Sequence, residues 1–483
     1  MTLAFEPRVA ETLDRLKVVL GPKGYLADPE SMEPYLLARR GVYRGAAQLV
    51  LRPSSTAEVA EIVKLCAAAR IPIFPQGGNT GLSGGAVPWE DGRGVVLSLG
   101  RMNRVRVIDP VDYSITVEAG CILAEVQEAA AAVDRLFPLS LGAEGSCQLG
   151  GNISTNAGGI AVLRYGNVRS LVLGLEVVLP DGEVWDGLRA LRKDNSGYDL
   201  KQLFIGAEGT LGVITAATLR LFPLPREVET AFLGLARLED AMELFSRARG
   251  VTGDQLTAFE LIPRFGIEIA LRHIPGISDP LDKPHPWYVL LQMSSSETRS
   301  GIKELLEGFL AEMMAAGLVQ DGVITASGTQ TRNLWNIREG MGHALRFEGG
   351  GIMHDVSVPV SRVATFITQA CAAATKRLPG IRPLAFGHVG DGNIHFALQQ
   401  PVAADTAVFL ARREEFNRLV YDIAVGFGGS ISAEHGIGRL KVGELAHYKS
   451  TVELELMHRI KRTLDPDGIM NPGKVLPLPS REF

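Results

Sequence analysis

The sequence predicts an α+β fold of more than one domain. Three observations carry that expectation. The chain has 483 residues, and at roughly 150 residues per domain this is two to four domains. Its 46% hydrophobic and 21% charged content is that of a globular protein and excludes a mainly disordered chain. Strand-like and helix-like runs alternate in both halves, whereas the tail from Ala403 reads as mostly helical.

The first half opens with a strand–helix–strand unit over Gln48 to Phe74. Ser54, Ser55 and Thr56 offer caps for a helix whose apolar face is Val59, Ile62, Val63, Cys66 and Ala67. Ile71 to Phe74 is a short strand running into QGGNTGLSGG. VVLSL, VRVID and SITVEAG read as strands, and Ile122, Val126, Ala129, Ala130 and Val133 mark the next helix. LGLEVVLPDGEVWD predicts a hairpin turning at Pro180, Asp181 and Gly182. GVITAATLRLFPLP closes this half, and Pro223 with Pro225 marks the boundary. In the second half TAFLGLA and LTAFELI flank a helix, and WYVLLQMSS precedes another. That pattern predicts a βαβ-type sheet with helices on one side. An apolar strand, GIMHDVSVPV, and a strand–loop pair around Phe386 to Leu398 come next. The expected divisions are 1–225, 226–430 and 431–483.

Composition narrows the function. Lys and Arg total 49 against 54 Asp and Glu, a net charge of −5, which disfavours nucleic-acid binding. Cys66, Cys121, Cys147 and Cys371 lie far apart with no CxxC, so a disulfide framework is not expected. A reducing, cytoplasmic setting is the expectation. MTLAFEPRVAETLDRLKVVL reads as an amphipathic helix and not as a signal peptide. No apolar run reaches membrane-spanning length, and a peripheral membrane contact stays open.

Three glycine-rich loops stand out: QGGNTGLSGG, GAEGSCQLGGNISTNAGG from Gly142 to Gly159, and GAEGTLGVIT from Gly206 to Thr215. Each presents backbone N–H groups with little side-chain obstruction, a nest for phosphate oxygens. One such loop is weak evidence; three separated by strands suggest a dinucleotide gripped along its length. The nicotinamide fingerprint G-x-G-x-x-G and the P-loop are both absent.

The first loop resembles the pyrophosphate loop of the vanillyl-alcohol oxidase/para-cresol methylhydroxylase (PCMH) superfamily of FAD enzymes. PLSLGAEGSCQLGGNISTNAGG, LRYGNV, LRKDNSGYDLKQLFIGAEGTLGVIT and LDPDGIMNPGK are similar to the D-2-hydroxyglutarate dehydrogenases within that superfamily. D-lactate and glycolate dehydrogenases resemble it less closely. The likeness runs from about Gln48 to Val475. It implies a two-part PCMH-type FAD-binding domain, an α+β substrate (cap) domain, and a helical C-terminal segment returning to the flavin. It implies cofactor contacts at Gly77, Gly78, Asn79, Thr80, Gly81 and Leu82 in the first loop. It implies others at Gly145, Ser146, Gly151, Asn152, Thr155, Gly158, Gly159, Glu208, Gly212, Ile214 and Asn471. Some members attach FAD through a His in the first loop; Asn79 stands here with no His, so non-covalent FAD is expected. Cys147 reads as a small buried residue and not a flavin link.

GHVGDGNIH puts His388 and His395 at the two ends of a glycine turn, and SAEHGIG brings Glu434 beside His435. Two imidazoles and a carboxylate suit zinc, with manganese or iron as alternatives. The resemblance maps His388, His395 and Glu434 to metal ligands and His435 to a base facing the flavin. A nearby cation keeps such a base unprotonated. The resemblance also implies that Arg338, in NLWNIREGM, anchors the substrate carboxylate as the second catalytic residue; a guanidinium can hold a carboxylate in two parallel hydrogen bonds. Three positions depart from the hydroxyglutarate enzymes: Gly342 replaces a Thr, Met353 a Lys and Ala397 an Asn.

The expected activity is FAD- and divalent-metal-dependent oxidation of a D-2-hydroxy acid to the 2-oxo acid, with hydride passing to flavin N5. A D-lactate/glycolate-type dehydrogenase, an oxygen-using oxidase, and a flavin-free metallohydrolase are the alternatives. The resemblance implies a quinone, a cytochrome or an electron-transfer flavoprotein as electron acceptor, and leaves a homodimer open.

Overall fold

The computed structural model describes residues 7–39 and 41–478. They form two compact units. The first takes in the chain up to Gly159, Gly166–Leu224, and the chain from Glu434 on; the second is Ile160–Tyr165 with Pro225–Ala433. The amphipathic helix read at the start of the sequence is present as Pro7–Leu20; the first six residues of that stretch lie outside the described residues.

In the first unit a four-stranded sheet has the order Tyr25–Leu26, Val50–Leu51, Val95–Ser98, Ile73–Gln76, and its last three strands are parallel. Parallel strands need a crossover, and the helix Thr56–Ala69 supplies it between Val50–Leu51 and Ile73–Gln76, with Val95–Ser98 paired between them. Its start is fixed by Ser55, whose side chain accepts from the Glu58 N–H at 3.2 Å. Its end is fixed by Arg70, which turns left-handed at φ 54°. Val59, Ile62, Val63 and Cys66 are fully buried. Each stabilises the layer by about 1.5–3 kcal/mol, and Ile62→Ala would cost about 2–5 kcal/mol.

A second sheet of this unit is antiparallel, ordered Val105–Asp109, Ser114–Glu118, Val213–Arg220, Val172–Val178, Val184–Gly187. The expected hairpin is its far edge; Val178 faces Val184, and Gly182 takes φ 83° in the turn. Buried Glu118 and Glu176 would be costly alone. Arg106 ties both down, at 3.4 and 3.1 Å.

The second unit is built on a seven-stranded sheet. Its order is Asp321–Ile324, Glu227–Leu235, Trp287–Ser295, Leu256–Pro263, Arg382–His388, Asn393–Gln399, Gly351–Ser357. One expectation is refined here and one is corrected. The strands flanking the helix Leu238–Thr252 run parallel, as a βαβ unit requires, but Trp287–Ser295 lies between them, antiparallel to both. Helices also cover both faces. Arg264–His273 and Gly328–Ala344 pack on one face with Ile262, Leu384, Phe386 and Ala397. On the other face, Phe245 of Leu238–Thr252 meets Phe259 edge-on at 5.2 Å. The reason is written in Leu256–Pro263: every residue of this strand is buried, so both of its faces need cover.

Candidate functional site

In the first unit the three glycine loops line one cradle. The first loop leaves the strand Ile73–Gln76, whose last residue closes the loop's base. The buried Gln76 amide donates to Tyr35 O and Ala86 O, both at 2.9 Å. At Gly78 a Cβ would lie 2.0 Å from Ser146 O, so only glycine lets the first loop back onto the second. Asn79 turns left-handed at φ 51° and is held by Leu37 O at 2.9 Å. Its amide is thus committed to the chain's own backbone.

The second loop leads into the short helix Leu149–Ser154. The buried side-chain oxygens of Gln148 and Asn152 have no hydrogen-bond partner within the chain, and both residues line the cradle. A Cβ at Gly151 would meet nothing within 4 Å. Open space beside orphaned buried oxygens suits a polar ring system bearing N–H groups, and the glycine nests suit its phosphates. The residues present therefore fit FAD. Cys147 also lines the cradle, and burial pushes its thiol pKa up, away from the reactive thiolate.

The third loop carries a brace. Glu208, at φ 51°, accepts from the Ile437 N–H at 2.7 Å and the Gly438 N–H at 2.8 Å. Burial raises its carboxyl pKa in spite of those two donors. Its own carbonyl accepts from the Asn471 amide at 2.7 Å, and Asn471 also reaches Gly85 O at 3.0 Å. Glu208 and Asn471 thus bind the returning C-terminal segment to the glycine loops. Ser83 Oγ adds a bond to His435 O at 3.0 Å, and His435 lines the cradle.

Of the residues expected at the cofactor, Gly77, Gly78, Asn79, Thr80, Gly81, Gly151, Asn152, Thr155, Glu208, Gly212 and Ile214 line this cradle. Leu82, Gly145, Ser146, Gly158, Gly159 and Asn471 are not in its lining. Gly159 serves packing: at φ 130° its Cβ would lie 1.9 Å from Ser140 O. Gln148 was not singled out by the sequence, where it reads as an ordinary loop amide.

In the second unit a buried charge cluster sits on one sheet face. Glu260 lies in Leu256–Pro263, register-paired with His388. One of its oxygens accepts from Arg338 Nε at 2.6 Å; the other bonds His388 Nδ1 at 2.5 Å. Burial works to raise the Glu260 carboxyl, but Arg338 and His388 outweigh it and hold its pKa down at about 2. A carboxylate on Nδ1 orients the His388 ring, as the outer partners of metal-binding imidazoles do. His388 and His395 rings lie 5.3 Å apart between centroids. Asp355, itself bonded by Asn393 at 2.9 Å, has an oxygen 3.7 Å from His395 Nδ1. Two imidazoles and a carboxylate suit a divalent ion by donor type; His395 and Asp355 offer ligand atoms within 4.8 Å of one another, in a group that does not include His388. Glu434 belongs to the first unit, beside His435, with 3.9 Å between Glu434 Oε1 and His435 Nε2.

Arg338 is buried on the helix Gly328–Ala344. Its guanidinium lies 4.9 Å from the Phe386 ring centroid, and its Nη2 has no hydrogen-bond partner within the chain. Glu260 and Asp355 were missed as functional residues. For Glu260 a signal existed: one charge inside the otherwise apolar run LTAFELI.

Two family models match the chain. "FAD binding domain" matches residues 47–187, and "FAD linked oxidases, C-terminal domain" matches residues 224–475. A probable mitochondrial D-2-hydroxyglutarate dehydrogenase of Oryza sativa subsp. indica is 41% identical over 471 residues, 97% of this chain and 82% of that protein. The mitochondrial D-2-hydroxyglutarate dehydrogenase of Danio rerio is 38% identical, over 98% of this chain and 87% of its own. The structure of p-cresol methylhydroxylase with substrate bound superposes with a TM-score of 0.78 over 99% of both chains at 17% identity, a likeness of fold. The relatives' names overturn the cytoplasmic expectation. Free thiols report only a reducing environment, and more than one compartment supplies one. Among the described residues no helix is long and apolar enough to cross a membrane. The chain belongs to the FAD-linked oxidases, with the α+β, PCMH-type architecture of that family, and is an FAD-dependent oxidoreductase.

Proposed function

We propose that this chain is a dehydrogenase that oxidises a D-2-hydroxy acid to the 2-oxo acid. The observation that carries the reading is Arg338, buried, with one arm committed to Glu260 and Nη2 uncommitted. A guanidinium so held is a prepared site for a substrate carboxylate. The relatives' names supply the substrate class.

When bound, FAD supplies a two-electron acceptor that takes hydride at N5, and a divalent ion such as zinc supplies a Lewis acid. The residues do the rest. Arg338 orients the carboxylate, and Glu260 keeps Arg338 from swinging away. His435, in the lining of the cradle, accepts the hydroxyl proton as general base. Gln148 and Asn152 offer their oxygens to the cofactor ring, and the glycine loops take its phosphates. His388 and His395 are the proposed imidazole ligands of the ion, with Glu434 as the carboxylate that the resemblance adds. Electrons leave to a quinone, a cytochrome or an electron-transfer flavoprotein.

His435→Ala tests the assignment. The purified variant should keep the flavin absorbance of the wild type and lose substrate-driven flavin reduction. Reduction at a near-normal rate contradicts the role of His435, and a colourless wild-type protein contradicts the whole reading. Reoxidation of reduced enzyme by air, compared with an artificial quinone, separates dehydrogenase from oxidase. Elemental analysis of His388→Ala should find the metal lost.

A further inference from the structure

The residues around Arg338 bear on the part of the substrate beyond its carboxyl group. The inference rests on the proposed dehydrogenase function and narrows it. Met353 and Ala397 are register partners on adjacent strands, as are Asp355 and His395 two residues along. On the other side, Phe386 pairs with His395 and Leu384 with Ala397. Opposed residues share a sheet face, and so do residues two apart. One face therefore carries a row with His395 and Asp355, and one step along it a wholly apolar row, Leu384, Ala397 and Met353. Met353 is only partly buried, and it packs against the cluster that contains Ala397, Leu384 and Phe386. The helix over this face brings Arg338 and, one turn on, Gly342, where a Cβ would meet nothing within 4 Å. The open position adds room and no polar group.

Charge is as informative. Two neighbouring cations are already spent. Arg264 binds Asp279 at 2.6 Å, and Arg382 binds Glu348 at 2.5 Å. Arg338 is the cation here with a buried nitrogen lacking a partner. One carboxylate can be neutralised by it; a second carboxylate on the same substrate would meet the row Leu384, Ala397 and Met353, which itself carries no cation. A charge desolvated without a partner is strongly disfavoured.

We infer that the preferred substrate is a D-2-hydroxy acid with a single carboxylate and an apolar side chain of several carbons, and that Met353 and Ala397 reject dicarboxylates. The reaction removes two electrons and two protons from the carbinol: hydride goes to the bound FAD and the hydroxyl proton to the base, leaving the 2-oxo acid.

The test compares D-2-hydroxy-4-methylpentanoate with D-2-hydroxyglutarate on the holoenzyme by anaerobic flavin reduction, and 4-methyl-2-oxopentanoate with 2-oxoglutarate by calorimetric binding. Wild-type kcat/KM should favour the apolar acid by roughly 100-fold or more, with binding in the same order. Met353→Lys should reverse or narrow that preference by at least about tenfold, and Ala397→Asn serves if that variant does not fold. A wild-type enzyme that prefers D-2-hydroxyglutarate, or binds 2-oxoglutarate more tightly, overturns this inference and leaves the dehydrogenase reading standing. A flavin that no 2-hydroxy acid reduces overturns both.

Discussion

Glu260→Gln is the perturbation that separates a positioning carboxylate from a bystander. Glu260 is fully buried and holds two partners, Arg338 Nε at 2.6 Å and His388 Nδ1 at 2.5 Å. An amide keeps the shape and loses the charge. Removing one partner of a buried ion pair costs about 3–5 kcal/mol, because the other charge is left uncompensated. In a unit of this size each kcal/mol moves Tm by about 2–4 °C, so the melting of the second unit should fall by roughly 6–20 °C. Glu260 is not among the residues that line the cradle, so the flavin absorbance should remain. Turnover should suffer beyond what unfolding explains. With Arg338 freed to swing and His388 free to reorient, kcat/KM should drop by on the order of 100-fold at a temperature where the variant is folded. Differential scanning calorimetry and steady-state kinetics on the holoenzyme read both effects. A Tm within about 2 °C of wild type and a kcat/KM within roughly threefold would show that the cluster neither holds the unit together nor aligns the site.

Gly78→Ala should abolish flavin retention, since its Cβ would sit 2.0 Å from Ser146 O; the ratio of visible to ultraviolet absorbance after purification reads it directly. Glu208→Gln should loosen the returning segment, because the N–H groups of Ile437 and Gly438 bond different carboxyl oxygens and an amide keeps only one; limited proteolysis should then cut after Glu434, at a rate at least about tenfold faster than in wild type. Glu348 gives a pH dependence. Burial opposes its ionised form, yet His273, Arg382 and Arg272 hold its pKa at about 2, below the ordinary 4.5. A depressed folded pKa contributes stability that is present above the ordinary value and lost as pH falls toward 2. The stability gap between wild type and Glu348→Gln should therefore be open at pH 7, at most about 3 kcal/mol, and close on acidification; a gap that stays constant contradicts the assignment.

Much of the fold was legible because local rules govern it. Val59, Ile62, Val63 and Cys66 announce a buried helical face, and Ser55 caps it. The glycine loops were legible for the same reason: a backbone that must come within van der Waals range of another, as at Gly78, admits no other residue. What escaped was long-range. The apolar runs TAFLGLA and LTAFELI mark two strands, but nothing in a local pattern says that Trp287–Ser295 slips between them. Glu260 and His388 are 128 residues apart, and their partnership exists only through strand register. In the sequence Asp355 stands beside His354 as one of a polar pair, and only its pairing with His395 gives it a place in the site. Glu208 and Asn471 were expected at the cofactor. Their polar groups instead hold the C-terminal segment in place, although Glu208 also lines the cradle.

The measurement that bears most directly on the central claim is anaerobic titration of the purified, flavin-loaded protein with D-2-hydroxy acids while the visible flavin bands are followed. The bands should collapse with an equivalent of substrate and the matching 2-oxo acid should appear in equal amount, while the Arg338→Met variant should need on the order of 100-fold more substrate or fail altogether. Bands that persist in the wild type under every such acid would contradict the account.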